Sequence, residues 1–532
     1  MFLRTRRLER LRAELRANWG RRRVARAVAT ADAEYHADLA GPSASPVSEE
    51  RLALDLQLDD VLCAVDRTIS PLGRQVLYHQ LRSEPGEEPL ADLERLVELF
   101  SSHSAVREAG QLALKRIEAA RCIGIWRLCQ PGGVPRRQWH ALFPALAVST
   151  AVAILVLPFW HPAFLLVLGL LIASIATRAV TSWQTAAVLQ PFAYLGPILA
   201  AADTLAELDG LPDVQARGIR NDLESLATLR RIVRWAARDP ISQGEMAGVA
   251  QEYLNMLFLL DANAMFLGGR SLEAHGRALR RVLEWVGTLD LALGVASLRA
   301  EPEAWCVPVV TAEATVQLTD VWHPLLQEAV PNSLTITAGR GMIVTGANMS
   351  GKTTFLRTVG VAALLARTIN TSPSRSCRGP RLAVRTCIQV SDSLAEGKSY
   401  YLAEAEAAVA MLRAARSTAP HLFVVDELFR GTNSVERIAA GEAVLRSLAG
   451  PAGSAQYVLA ATHDGELVEL LDGCYEPMHF EEQVGEDRLE FDYRLRSGPA
   501  TTRSALRLLE LLGAPTEVLT EARARARVLD GR

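Results

Sequence analysis

Apolar residues recur at intervals of three and four through residues 48–130 and again through 184–300, the spacing that lays one face of an α-helix on a core. Within Leu58 to Leu81, LDDVLCAVDRTISPLGRQVLYHQL, this rhythm is punctuated by Ser70-Pro71. A serine there can accept from an orphan helical N–H and a proline fits the first turn, so a helix is expected to start at that pair. Asp290 to Leu298 extends a further apolar face near the end of the second region. From about Cys306 the texture changes to short runs rich in β-formers, VPVV and TVQLTDV. Three more runs, MIVT from Met342, HLFVV from His421 and YVLAA from Tyr457, are apolar without alternation, as strands buried on both faces must be. The pattern predicts a multidomain chain: a mostly α-helical N-terminal body in two parts, 48–137 and 184–305, joined to a C-terminal α/β domain over 306–532.

Between the two parts of the body, Gln138 to Thr177 contains no Asp, Glu, Lys or Arg over 40 residues. Pro158 and Pro162, around Trp160 and His161, divide it into two arms, Leu142 to Leu157 and Ala163 to Ala179. A bilayer crossing takes about 20 residues, a length each arm reaches with its flanks. Trp139, Trp160 and Trp183 stand where the interfacial aromatics of a membrane-crossing hairpin would fall, and Arg136, Arg137 and Arg178 flank the outer ends. Residues 138–183 are therefore read as two transmembrane helices in a bacterial-type inner membrane, with both termini cytoplasmic by the positive-inside rule. Arms of this length also suit a buried helical hairpin in a soluble, cytoplasmic bundle, which is the alternative.

Composition limits the partners. A chain of 532 residues has material for several domains, and its formal charge of −3 supplies no global basic field to draw nucleic acid. The seven cysteines, at 63, 122, 129, 306, 377, 387 and 474, form no C-x-x-C pair and suit a reducing cytosol. No cleavable signal sequence is evident at the N-terminus, where arginines interrupt the apolar residues. Residues 1–30 carry ten arginines against Glu9 and Glu14, with Leu8, Leu11, Leu15 and Trp19 at helical spacing. Such a helix can lie on anionic lipid, pack on a partner, grip phosphates or present a solvated charged face. GPSASP, Gly41 to Pro46, reads as a linker that closes this Arg-rich segment, residues 1–47.

The chemistry is concentrated at three strand ends. MIVTGANMSGKTTF, residues 342–355, sets Gly-x4-Gly-Lys-Thr between an apolar run and a helical pattern, the setting of a phosphate-binding loop. Gly346 and Gly351 let the backbone turn its N–H groups toward an anion, and the following helix adds the positive end of its dipole. In that loop, Ala347, Asn348, Met349, Ser350 and Thr354 would border the nucleotide, Lys352 would reach the β/γ-phosphates, and the Thr353 hydroxyl would ligate Mg²⁺. HLFVVDE ends in Asp426 and Glu427, which alternation along a strand sends to different jobs. Asp426 suits the Mg²⁺ shell and Glu427 the orientation or deprotonation of an attacking water. YVLAATHD ends in a polar cluster in which His463 is placed to sense a γ-phosphate. Together they point to phosphoryl transfer from ATP to water.

Several of these stretches resemble one family. TGANMSGKTT, with Asn348 and Met349, DELFRGTN from Asp426 to Asn433, ATHDGEL from Ala461 to Leu467, and VWHPLL from Val321 to Leu326 are similar to the ATPase of MutS-type mismatch-repair proteins. The resemblance covers residues 306–512 and implies a P-loop ATPase of the ABC type that uses ATP and Mg²⁺. Asp59 to Leu81 and Glu284 to Leu298 look like the two ends of that family's helical core. SDSLAEGKSYYLAEAE, Ser391 to Glu406, resembles its signature loop, which implies a homodimer through the ATPase domains with Gly397 and Ser399 reaching the partner's nucleotide. On the residues alone, Ser399 also suits a plain helix N-cap before Tyr400 to Leu412.

The departures from the family are equally informative. No Phe-x-Glu wedge stands in a mismatch-reading domain, residues 1–57 are too few to hold one, and the apolar hairpin stands where long levers and a DNA-gripping clamp would be. Two functions follow from the resemblance. One is a membrane-anchored MutS-like ATPase whose dimer rearrangement acts on an unidentified protein partner or on nucleic acid near the membrane. The other is a soluble DNA-binding repair or recombination factor. A transporter-type ATPase is disfavoured, since two arms supply too little membrane structure for a pathway.

Overall fold

Helix Pro71–Arg82 begins at the expected pair: Ser70 is its N-cap, accepting from the Gly73 N–H at 3.2 Å, and Pro71 occupies the first turn. Its apolar face lies on Leu260–Arg299, a 40-residue helical run kinked at His275 that forms the spine of the body. Leu72, Val76, Leu279, Leu283, Val286 and Leu289 are all buried at this seam. Asp290, fully buried on the spine, accepts from the Ile69 N–H at 2.8 Å and from the Ser70 N–H and Oγ–H, each at 2.6 Å. The apolar face expected over Asp290 to Leu298 thus carries at its head a carboxylate that anchors a neighbouring helix start. The computed structural model describes residues 2–24, 26–40, 46–118, 122–134, 137–236, 253–347, 350–388, 400–430, 432–451, 454–484, 489–499 and 513–530.

The Arg-rich N-terminus is strapped along this body. Helix Phe2–Asn18 buries Leu15, and Arg107 stacks over the Trp19 ring at 4.2 Å. Arg16 binds both oxygens of Glu108, Arg23 and Arg26 donate to the Thr68 carbonyl, and Arg26 also pairs with Asp66. Arg74, buried, bridges Asp32 and Asp66 from the opposite side. Several of the basic residues that composition leaves open to lipid or phosphate are therefore held by the chain's own acids and carbonyls.

The two apolar arms are helices Leu142–Val156 and Ala163–Ala206. The second was expected to end near Ala179 and instead runs unbroken for 44 residues, through Pro191 and Pro197, into the core. Phe192, Leu195, Ile198, Leu199, Ala202 and Leu205 of its C-terminal half are buried there, and this packing holds the helix together where each proline removes a backbone donor. The boundary expected at residue 183 consequently falls inside a helix. Gln138–Val156 and Ala163–Val180 are each long and apolar enough to cross a membrane, and only 22% and 11% of them are buried.

From residue 309 onward two sheets form. One has the order β1-β5-β2-β3, from β1 (Val309–Val310), β2 (Thr315–Val321), β3 (Asn332–Thr337) and β5 (Ser376–Gly379). The other contains β4 (Gly341–Thr345), β6 (Ala383–Cys387), β7 (His421–Asp426), β8 (Gln456–Ala461), β9 (Tyr475–Val484) and β10 (Leu489–Ser497), in the order β10-β9-β4-β8-β7-β6. All its neighbours pair in parallel except β10 with β9. Every residue of β4, β7 and β8 is buried, in agreement with their unbroken apolar runs. Helix Lys352–Thr368, which follows β4, ends against the body: Gln80 donates to the Thr368 carbonyl, and Arg299 donates to Asn370 and Thr371 while pairing with Glu94.

Burial pushes the Asp290 carboxyl up to about 6, against the hydrogen bonds from Ile69 and Ser70 that favour its charged form. Its folded pKa lies above the ordinary value of 3.8, so between about pH 4 and 6 the folded protein retains a proton that the unfolded chain has released. The contribution of this group to stability therefore falls as pH rises through that window. Asp290→Ala, which leaves three buried donors without an acceptor, should destabilise the body by about 3 kcal/mol. In thermal melts the gap between parent and variant should be wider at pH 4 than at pH 6.5.

Candidate functional site

The parallel order β4-β8-β7 brings three C-terminal strand ends side by side, the edge at which open α/β sheets hold ligands. Val344 and Asp426 both lie opposite Ala461, so the three chains leave the sheet at one level. After β4 the backbone passes through Gly346 at φ +140° and Gly351 at φ +99°, conformations that side-chain-bearing residues rarely adopt. A Cβ on Gly346 would stand 2.9 Å from Ser350 Oγ and 3.0 Å from the Phe480 carbonyl. Lys352 folds back over the loop, its Nζ donating to the carbonyls of Gly346 at 2.7 Å and Ala347 at 2.9 Å and lying 3.2 Å from His463 Nε2. Ser350 is buried, and its hydroxyl has no partner among the described residues. Asn348 and Met349 lie outside the described residues, as do Arg136, Gly397 and Ser399.

Thr353 Oγ1 donates to Asp426 Oδ2 at 2.6 Å, which joins the two groups assigned to the metal. The other oxygen, Asp426 Oδ1, is buried without a partner among the described residues. A hydroxyl and a carboxylate, both hard oxygen donors with one oxygen unspent, fit Mg²⁺, which takes few protein ligands beside phosphate and water. Burial pushes the Asp426 carboxyl up, and the Thr353 hydrogen bond opposes that shift.

Strand alternation stops at Asp426. Glu427 has φ +52° and Phe429 φ +61°, so the chain reverses and the Glu427 side chain comes back to the cleft instead of passing to the far side of the sheet. The two carboxylates thereby share one site, although alternation along a strand predicts separate faces. Glu427 Oε1 lies 2.7 Å from His463 Nε2, and Glu427 Oε2 pairs with Arg430 Nε at 2.9 Å. Arg430 also reaches toward Asp426 Oδ2 at 3.7 Å. Burial alone would raise the Glu427 carboxyl, but the His463 hydrogen bond and the Arg430 charge outweigh it and hold the group below its ordinary value. Glu427 is therefore ionised at neutral pH, with one oxygen bonded to a histidine and the other paired with an arginine.

The cleft in front of these groups has a volume of about 620 Å³. Lys352, Thr353, Thr354, Glu427, Arg430 and His463 line its polar end, and Trp322, His323, Phe480 and Tyr493 wall the rest. His323 is buried, accepts from the Leu325 N–H through Nδ1, and is pushed down to about 4 by burial, so it stands there uncharged. Arg430 and Tyr493 are among the contributors that have no role in the sequence reading. Arg430 belongs to the quoted DELFRGTN, where a cation three residues beyond an acid pair is the available signal. Tyr493 comes from β10, whose approach to the loop nothing local announces.

Residues 342–530 match the family model for MutS domain V. The matched span begins with β4 and includes the glycine loop, the acid pair and His463. It supports MutS-family membership and makes the C-terminal domain similar to the ATPase of that family.

Gly346→Val would force a β-branched residue into a left-handed turn and against Ser350, a strain of about 1–3 kcal/mol. Calorimetric titration with ATP should show at least a tenfold loss of affinity, with the helical circular dichroism signal of the parent retained.

Proposed function

We propose that this chain is a MutS-like ATPase that binds ATP with Mg²⁺, hydrolyses it, and uses the cycle to rearrange a dimer at a membrane surface. The observation that carries the chemistry is the cluster of Lys352, Thr353, Asp426, Glu427, Arg430 and His463 at one cleft. In this reading the amides of the 346–351 loop hold the phosphates, and Lys352 exchanges its two carbonyl partners for β/γ-phosphate oxygens. Thr353 and Asp426 would hold Mg²⁺, which when bound would supply positive charge against the phosphoryl oxygens. Glu427 takes a proton from a water as that water attacks the γ-phosphorus. The bond from phosphorus to the bridging oxygen breaks, and ADP leaves with that oxygen. His463, in contact with both Lys352 and Glu427, links phosphate contact to the base. Gly397 and Ser399 would complete the pocket of a second copy.

The membrane part of the proposal rests on inverted burial in the hairpin. Its inner seam carries Thr150, Ala153, Ala163 and Ser174, small or hydroxyl-bearing residues, together with Phe143. Its outer surface carries Leu155, Phe159, Leu165, Ile172 and Val180, all exposed. A soluble hairpin would bury the second set, whereas helices in lipid pack through the first. In this reading the chain acts without classical mismatch recognition.

Two experiments decide the proposal. Glu427→Gln should retain ATP and slow its hydrolysis by about 10²-fold or more, whereas Lys352→Ala should fail to hold nucleotide; turnover at the parental rate in the Gln variant removes Glu427 from the role of base. The full chain should stay with the membrane pellet through high-salt and carbonate washes. Quantitative release would favour the soluble DNA-binding alternative.

A further inference from the structure

Glu404 is a buried carboxylate, 2% exposed, with no part in the chemistry above. It stands one turn into helix Tyr400–Ala414, the element that follows residues 389–399 in the chain. Its Oε1 accepts from the Phe429 N–H at 2.6 Å. That amide belongs to the reversal that turns Glu427 and Arg430 into the cleft, where Glu427 and Phe429 both hold positive φ. Residues other than glycine keep such conformations only where the surroundings enforce them, and a short charge-assisted bond in a dry setting is a strong means of doing so.

The helix that carries Glu404 is itself braced. Arg51, on helix Pro46–Asp55 of the body, donates to the Ala403 carbonyl at 3.0 Å. Asp55, at the end of the same helix, accepts from the buried Ile388 N–H at 3.0 Å, and its own carbonyl accepts from Arg357 on the phosphate-loop helix at 2.8 Å. One short helix of the body thus holds the chain immediately before and shortly after residues 389–399, and Glu404 passes that anchorage to the catalytic turn.

We propose that Glu404 is a positioning residue for hydrolysis: through the Phe429 amide it sets where Glu427 and Arg430 face the cleft, and it ties that setting to the helix after residues 389–399. The inference rests on the ATPase reading given above. A shift of the Tyr400–Ala414 helix would alter the base before it altered nucleotide contact, because Glu404 touches the turn and not the phosphate loop.

Glu404→Ala and Glu404→Gln, made in the full chain, test this. The Ala variant should lose at least about tenfold in kcat with KM for ATP within about twofold of the parent, and the Gln variant, which keeps a carbonyl acceptor, should recover most of the loss. In nucleotide-free protein, amide exchange across residues 427–430 should quicken at least about tenfold in the Ala variant while β7 and β8 keep parental protection. Parental kcat, parental exchange in the turn, or a joint loss of kcat and ATP affinity that Gln does not restore would each overturn the proposal. A parent protein that does not hydrolyse ATP would instead overturn the ATPase reading, and the exchange measurement would still decide whether Glu404 holds the turn.

Discussion

Burial of β4, β8 and β7 on both faces is the constraint from which the site follows. A strand with no solvated face has nowhere to place a charge along its length, so polar residues collect where it leaves the sheet. Parallel pairing with Asp426 and Val344 both opposite Ala461 puts three such exits at one level. The glycine loop, the acid pair and His463 are neighbours for that reason, although more than a hundred residues separate the first from the last. Their charges then settle one another: Arg430 and His463 keep Glu427 ionised, and Thr353 stabilises an Asp426 that burial alone would protonate more readily.

Whatever depends on local spacing was legible before any coordinates. Ser70-Pro71 begins a helix, three unalternated apolar runs are buried strands, and two uncharged arms are helices, because caps, periodicity and proline act within a few residues. The glycine loop, Thr353 and Asp426 were found for the same reason, since their spacing is itself the signal. What escaped depends on contacts across the chain. The return of Glu427 to the cleft needs a left-handed turn whose Phe429 amide is held by a side chain 25 residues earlier. The arginines at 16, 23 and 26 look free in sequence, since Glu108, Asp66 and Thr68 reach them only after the body has closed. The second arm was cut short at Ala179 because Arg178 ends the uncharged run, whereas burial of Phe192 to Leu205 carries the helix on through two prolines.

Body and α/β domain meet through hydrogen bonds placed at both ends of the phosphate-loop helix. Arg357, near its start, donates to the Asp55 carbonyl, and Gln80 and Arg299 hold the chain at and just beyond its end. These partners come from three helices of the body, so the element that follows the glycine loop cannot rotate without disturbing the core. Arg299 is also the last residue of the spine, so the same helix that carries Asp290 ends on the α/β domain.

The Asp290 latch has a consequence for biosynthesis. It joins the start of one helix to a carboxylate 220 residues later, and the apolar hairpin lies in the interval. A chain emerging from the ribosome therefore reaches Ser70 long before its anchor exists, and the first part of the body waits, with its helix start unsecured, while the hairpin is made. The hairpin is made first, and only then does translation deliver the residues that close the core of the body.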